Sequence, residues 1–143
     1  MDRLPEFIGN HPWLVAAFVA VLVLLIGSEI ARRLRRFKEI SPGLATQLIN
    51  RQNAVVLDVR PAGEFQEGHI AGARNVPADT LQQQDRMLGK LGDKPLILCC
   101  ASGQRSARAA GWLAANHPAP VFVLAGGLRA WRSDNLPVES GKG

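Results

Sequence analysis

No residue between Phe7 and Ser28 carries a charge, and Trp13 to Ile26 reads WLVAAFVAVLVLLI without a polar break. As a helix rising ~1.5 Å per residue, this stretch reaches about 33 Å, enough for the roughly 30 Å hydrocarbon core of a bilayer. It has no polar stripe, so it does not read as an amphipathic helix lying at an interface. The soluble alternative is a buried core helix, and the length argues against it. Subtracting such a span from 143 residues leaves about 100, which is one ordinary domain.

The flanks of the span differ. Asp2, Arg3 and Glu6 precede it, whereas Arg32, Arg33, Arg35, Arg36 and Lys38 follow it. Under the positive-inside rule the basic side stays cytoplasmic, with the N-terminus outside and the following domain inside. A cleaved signal peptide would show the reverse, a basic region before the apolar run and a small-residue cleavage site after it. Glu29 is spaced for helical pairing with Arg32 and Arg33. The small-xxx-small spacings Ala16/Ala20 and Gly27/Ala31 offer a seat for a second helix, and hence a route to a homodimer.

This cluster also explains the total charge. The chain carries a formal +5, which by itself suggests a nucleic-acid binder, but five basic residues at 32–38 supply all of it and the remainder balances. With 47% apolar and only 20% charged residues the chain is not a disordered basic arm. The same cluster has a second reading as a contact for anionic lipid.

Ser41-Pro42-Gly43 opens a new region, with Ser41 as helix N-cap and Pro42 at the first helical position. Beyond it, helical and strand patterns alternate. A helix carries Leu44, Leu48 and Ile49, and AVVLDV (54–59) is a buried strand. PAGEFQ (61–66) reads as a short helix, ARNVP (73–77) as a short strand, and 79–91 as helical. PLILCC (95–100) is a second buried strand, RSARAAGWLAANH (105–117) a helix, PVFVLA (120–125) a third buried strand, and LRAWRSDN (128–135) a last helix. Continuous apolar strands separated by helices predict an α/β domain, a parallel sheet covered on both faces. Sites in such sheets lie where a strand's C-terminal end leads into a helix.

One junction carries chemistry. Cys100-Ala101-Ser102-Gly103-Gln104-Arg105-Ser106 leaves a buried strand and enters a helix near Arg105. A thiol there sits in a turn of inward-pointing N–H groups, beside a helix N-terminus and an arginine, and all three favour an anion. Gly103 permits the positive φ of a cradle-shaped loop, and Ser106 doubles as a capping residue. A cysteine at a strand end is as readily a small buried hydrophobe as a nucleophile, and the Gly-x-Arg-Ser that follows favours the nucleophile. Cys99 points to the opposite strand face and reads as core. Side-by-side cysteines suit neither an unstrained disulfide nor a zinc site, so free thiols in a reducing compartment are expected. No clustered ligands accompany His11, His69 or His117, and no metal or cofactor is expected. Asp58 and Arg60, at a strand end, are supporting candidates that pair or orient neighbouring loops, and His69 reads as a hydrogen-bonded structural histidine. Gly126-Gly127 is a tight turn, and Trp112 and Trp131 are assigned to core packing.

These residues carry a resemblance. Asp58-Val-Arg60, Glu64-Phe-x-x-Gly68-His-Ile-x-Gly72-Ala-x-Asn75-x-Pro77, Cys100-x-x-Gly103-x-Arg105-Ser106 and Leu124-x-Gly126-Gly127-x-x-x-Trp131 occur in the order found in rhodanese-like sulfurtransferases. From about Ser41 to Val138 the chain resembles the single-domain members, and with the preceding helix it is similar to the membrane-anchored bacterial type. The resemblance implies a rhodanese-like fold with a central parallel sheet flanked by helices. It also implies that Cys100 takes sulfane sulfur from a donor such as thiosulfate, holds it as a persulfide, and passes it to cyanide or another thiol. Ala101, Ser102, Gly103, Gln104, Arg105 and Ser106 would form the cradle, with Arg105 assisting an anionic donor. Phosphatases of similar fold use a wider Cys-x5-Arg loop, whereas Cys100 to Arg105 is Cys-x4-Arg, which favours sulfur over phosphate.

The expected organisation is an N-terminal flank (1–10), a transmembrane helix (11–31), a basic juxtamembrane linker (32–40), a rhodanese-like domain (41–138) and a C-terminal tail (139–143). The expected location is the bacterial inner membrane, single-pass, with the catalytic domain cytoplasmic. A tethered sulfurtransferase is the expected function, with small sulfur compounds, the bilayer and a membrane-protein partner as its contacts and no nucleic acid. A tethered adaptor with little catalysis is the alternative, and a phosphatase or arsenate reductase is a third reading.

Overall fold

The computed structural model describes residues 3–33 and 36–142. The chain divides into two compact units, 1–35 and 36–143. In the first, helix α1 (Arg3–Asn10) is followed by α2 (Pro12–Arg33). Pro12 opens α2, where its missing N–H costs nothing, and the His11 carbonyl accepts from the amides of Leu14 and Val15. Within α2, Pro12–Ala31 is long and apolar enough to cross a membrane, and none of it is buried within the protein. A helix of this kind near an N-terminus serves equally as an anchor or as a signal sequence. Of the expected basic cluster, Arg35 and the side chains of Arg32 and Arg33 lie outside the described residues.

The second unit begins with a strand, β1 (Lys38–Ile40), then α3 (Pro42–Gln52), β2 (Val55–Asp58), α4 (Ala62–Glu67), β3 (His69–Ile70) and β4 (Arg74–Asn75). A 3₁₀ turn (Leu81–Gln83), α5 (Asp85–Lys90), β5 (Leu96–Cys99), α6 (Gln104–Asn116), β6 (Val121–Leu124), α7 (Gly127–Ser133) and β7 (Val138–Glu139) complete it. Five parallel strands run in the order β1-β6-β5-β2-β4, while β3 and β7 form a separate antiparallel pair. The α/β architecture predicted from alternating apolar strands and helices is therefore the observed one.

Strand β5 is central and fully buried. Its period of two sends Leu96, Leu98 and Cys100 to one face, where they join Leu57, Val59, Leu113, Val121 and Val123. Ile97 and Cys99 face the other way, among Val56, Phe65, Leu124 and Trp131. Each fully buried Leu or Ile contributes roughly 1.5–3 kcal/mol, so these two layers clamp the strand from which the cysteine loop emerges. As expected, the Ser41 hydroxyl caps α3, accepting the Leu44 amide at 3.2 Å.

Three expectations need correction. The linker 32–40 does not run to Ile40, because Lys38–Ile40 pairs with Phe122–Leu124 as an edge strand. Its three residues include only one buried side chain, Ile40, so the sequence carries no period to reveal it. The tail does not begin at residue 139, because Glu139 pairs with His69 and the Gly141 amide donates to the Gln66 carbonyl at 2.9 Å. The helix expected over 79–91 is a 3₁₀ turn and a short α-helix separated at Gln84.

Candidate active site

The parallel sheet places the end of β5 beneath the start of α6, and Cys100 is the first residue past the strand. Gly103 turns the chain with φ 104°, a left-handed conformation that side chains oppose, and serves as the α6 N-cap. That turn brings the Gly103 amide to 3.0 Å from Cys100 Sγ, to which it donates. Ser106 Oγ lies 3.3 Å from the same sulfur and 3.1 Å from the Gly103 carbonyl. A hydroxyl has one hydrogen. In the thiol state the S–H donates to Ser106 Oγ, which donates onward to Gly103; in the thiolate state the hydroxyl turns to the sulfur. Ser106 is thus a sulfur ligand inside the first turn and not the capping residue expected, because Gly103 already holds the cap position.

Cys100 is only 1% exposed. Burial pushes its thiol pKa up, but the Ser106 hydroxyl and the amides of Ser106, Gly103 and Ser102 outweigh this and hold it below the ordinary cysteine value. Cys99 is the contrast: desolvation, with the Asp58 charge adding to it, drives its pKa far up and keeps it an inert thiol.

Helix α7 braces the loop from the other side. The Leu128 amide donates to the Cys100 carbonyl at 2.8 Å and the Arg129 amide to the Ala101 carbonyl at 3.2 Å. This requires glycine at 127, where a Cβ would lie 2.7 Å from the Ala101 carbonyl carbon and strike the Cys100 carbonyl oxygen. Gly127 to Arg129 accordingly clamp the cysteine loop.

Asp58 and Arg60 hold a neighbouring loop. Arg60 donates through Nε and Nη2 to both Asp58 oxygens at 2.7–3.1 Å, and its Nη2 also reaches the Gly68 carbonyl at 2.7 Å. Asn75 Nδ2 ties the carbonyls of Asp58 and Arg60 together. The guanidinium pKa is raised, chiefly by its hydrogen bond to Asp58. Among the described residues no hydrogen bond or ion pair joins either side chain to Cys100. His69 is equally structural: it stacks on Phe65 at 3.6 Å between ring centres and bonds the Phe65 carbonyl through Nδ1 at 2.7 Å.

Arg105 pairs with Glu64 at 3.0 Å, both side chains nearly half exposed. Gln104 and Ser102 are exposed at the rim, and Ala101 is half-buried. The contacts that the sequence did not reveal are the Arg105–Glu64 pair, the Asn75 bonds and the Gly127–Arg129 clamp. The last had a signal in the Gly-Gly pair following a buried strand.

A buried thiol held by amides at the end of a central parallel strand defines a cysteine-loop α/β domain. Residues 41–134 match the model of the rhodanese-like domain, and the chain belongs to that family. It is 37% identical over 143 residues to the uncharacterized protein YibN of Escherichia coli (strain K12), covering 99% of this chain and 100% of that one. To the thiosulfate sulfurtransferase GlpE of Pseudomonas putida (strain GB-1) it is 36% identical over 107 residues, 75% of this chain and 94% of the relative. Among solved structures, a thiosulfate sulfurtransferase from Pseudomonas aeruginosa superposes with a TM-score of 0.66 at 30% identity, over 74% of this chain and 20% of that one.

Proposed function

We propose that this chain is a membrane-anchored sulfurtransferase that carries sulfane sulfur as a persulfide on Cys100. The observation that carries the reading is the cradle itself: Cys100 Sγ, buried yet acidified, with the Gly103 amide at 3.0 Å and the Ser106 hydroxyl at 3.3 Å. The thiolate attacks the outer sulfur of thiosulfate; an S–S bond forms to Cys100, the donor's S–S bond breaks, and sulfite leaves with the electron pair. An acceptor such as cyanide then attacks the terminal sulfur, giving thiocyanate and returning the Cys100 thiolate. The loop amides stabilise negative charge on sulfur in both half-reactions, so ping-pong kinetics follow. Arg105, shared with Glu64, supplies positive charge at the rim.

The apolar span of α2 tethers the domain to the bilayer, and the basic residues after it argue for a cytoplasmic domain with the N-terminus outside. In detergent, the purified full chain is expected to form thiocyanate from thiosulfate and cyanide, and Cys100→Ser to form none. Turnover of p-nitrophenyl phosphate or arsenate without thiocyanate formation would replace this reading with the phosphatase or reductase one.

A further inference from the structure

Beside the cysteine loop lies a cleft of about 590 Å³. Ala101 of the loop, Leu128 of α7, Glu67 and Gly68 line it. Arg129 and Arg132, both exposed, line it from consecutive turns of α7. Arg129 is fixed relative to the loop by its own amide, which donates to Ala101. Arg132 extends to Gly68, whose carbonyl is already taken by Arg60.

The other charges at the cleft are accounted for. Arg60 is committed to Asp58 and Glu64 to Arg105. Among the described residues neither Arg129 nor Arg132 has an ion-pair partner. Glu67 also lines the cleft, leaving two cations and one anion unneutralised. The volume falls in the roughly 300–1,000 Å³ range of sites for organic ligands, far above what a five-atom inorganic donor fills.

We propose that this cleft is a subsite for the tail of an organic thiol or persulfide bearing carboxylates, which Arg129 and Arg132 engage while its sulfur reaches the Cys100 loop. Paired guanidinium groups suit carboxylates because each presents a planar fork of donors, and Glu67 suits an ammonium on the same molecule. The proposal rests on the sulfur-transfer reading for its purpose, but its test is a binding measurement that does not require turnover.

The probe is S-methylglutathione, a thioether with two carboxylates and one ammonium, titrated by calorimetry into full-length Cys100→Ser in detergent. Its dimethyl ester is the control of equal shape. We expect the diacid to bind at least about tenfold more tightly than the diester, and this preference to vanish in Cys100→Ser carrying Arg129→Gln and Arg132→Gln. Equal affinity for diacid and diester, no saturable binding of the diacid, or an unchanged preference in the triple variant would each overturn the subsite. Failure of sulfur transfer in the wild type leaves these outcomes readable, so the two readings fail separately.

Discussion

At Cys100, two opposing effects set reactivity: burial disfavours the thiolate, while the Ser106 hydroxyl and the surrounding amides favour it and win. Because the folded pKa is depressed, the reactive thiolate persists below the pH at which an ordinary cysteine protonates, and is lost as pH falls through the lowered value. The rate of iodoacetamide alkylation at Cys100 against pH is therefore expected to inflect below the ordinary thiol range. Ser106→Ala should move that inflection upward by removing the largest acidifying contribution. An inflection unchanged in the variant would show that the hydroxyl does not stabilise the sulfur. Cys99 does not confuse the measurement, since burial keeps it protonated. The cysteine loop was legible in sequence because an apolar run, a cysteine and Gly-x-Arg-Ser follow one another directly. The Arg105–Glu64 pair was not, because its partners are 41 residues apart and meet only through the fold.

The loop keeps its shape through α6 and α7, which hold it from opposite sides. Gly127→Ala must move either the Ala101 carbonyl or the start of α7, since the approach is 2.7 Å and the backbone there has φ 58°. We expect sulfur transfer to fall about a hundredfold, as for an ångström-scale misplacement of reacting groups, and stability to fall by about 1–3 kcal/mol in urea titration. Gly111→Ala in α6 is the matched control: nothing lies within 4 Å of its Cβ. Helix propensity predicts a gain of about 0.5–1 kcal/mol there, with activity intact. Equal behaviour of the two variants would remove the clamp from the account. Elements with a run of apolar residues, such as β2, β5 and β6, could be read from the sequence. The short strands β1, β3 and β7 could not, because two or three residues carry no periodicity and exist only through their partners.

Over the whole molecule, the chain separates its two physical tasks. An apolar helix whose surface is not covered by protein occupies the N-terminal unit, and the second unit holds a sheet buried on both faces with one acidified thiol at the end of its central strand. The net charge of +5 belongs to the residues between these tasks and describes neither. The span and the basic cluster were legible because hydropathy and charge are properties of the sequence itself; the bracing of the loop was not, because it is made by backbone groups of α7. Mass spectrometry of the Cys100-containing peptide, from inside-out membrane vesicles treated with membrane-impermeant thiosulfate, tests the central claim. The account predicts one added sulfur atom on Cys100 and none on Cys99. An unmodified Cys100, persisting after the vesicles are dissolved in detergent with thiosulfate present, would contradict it.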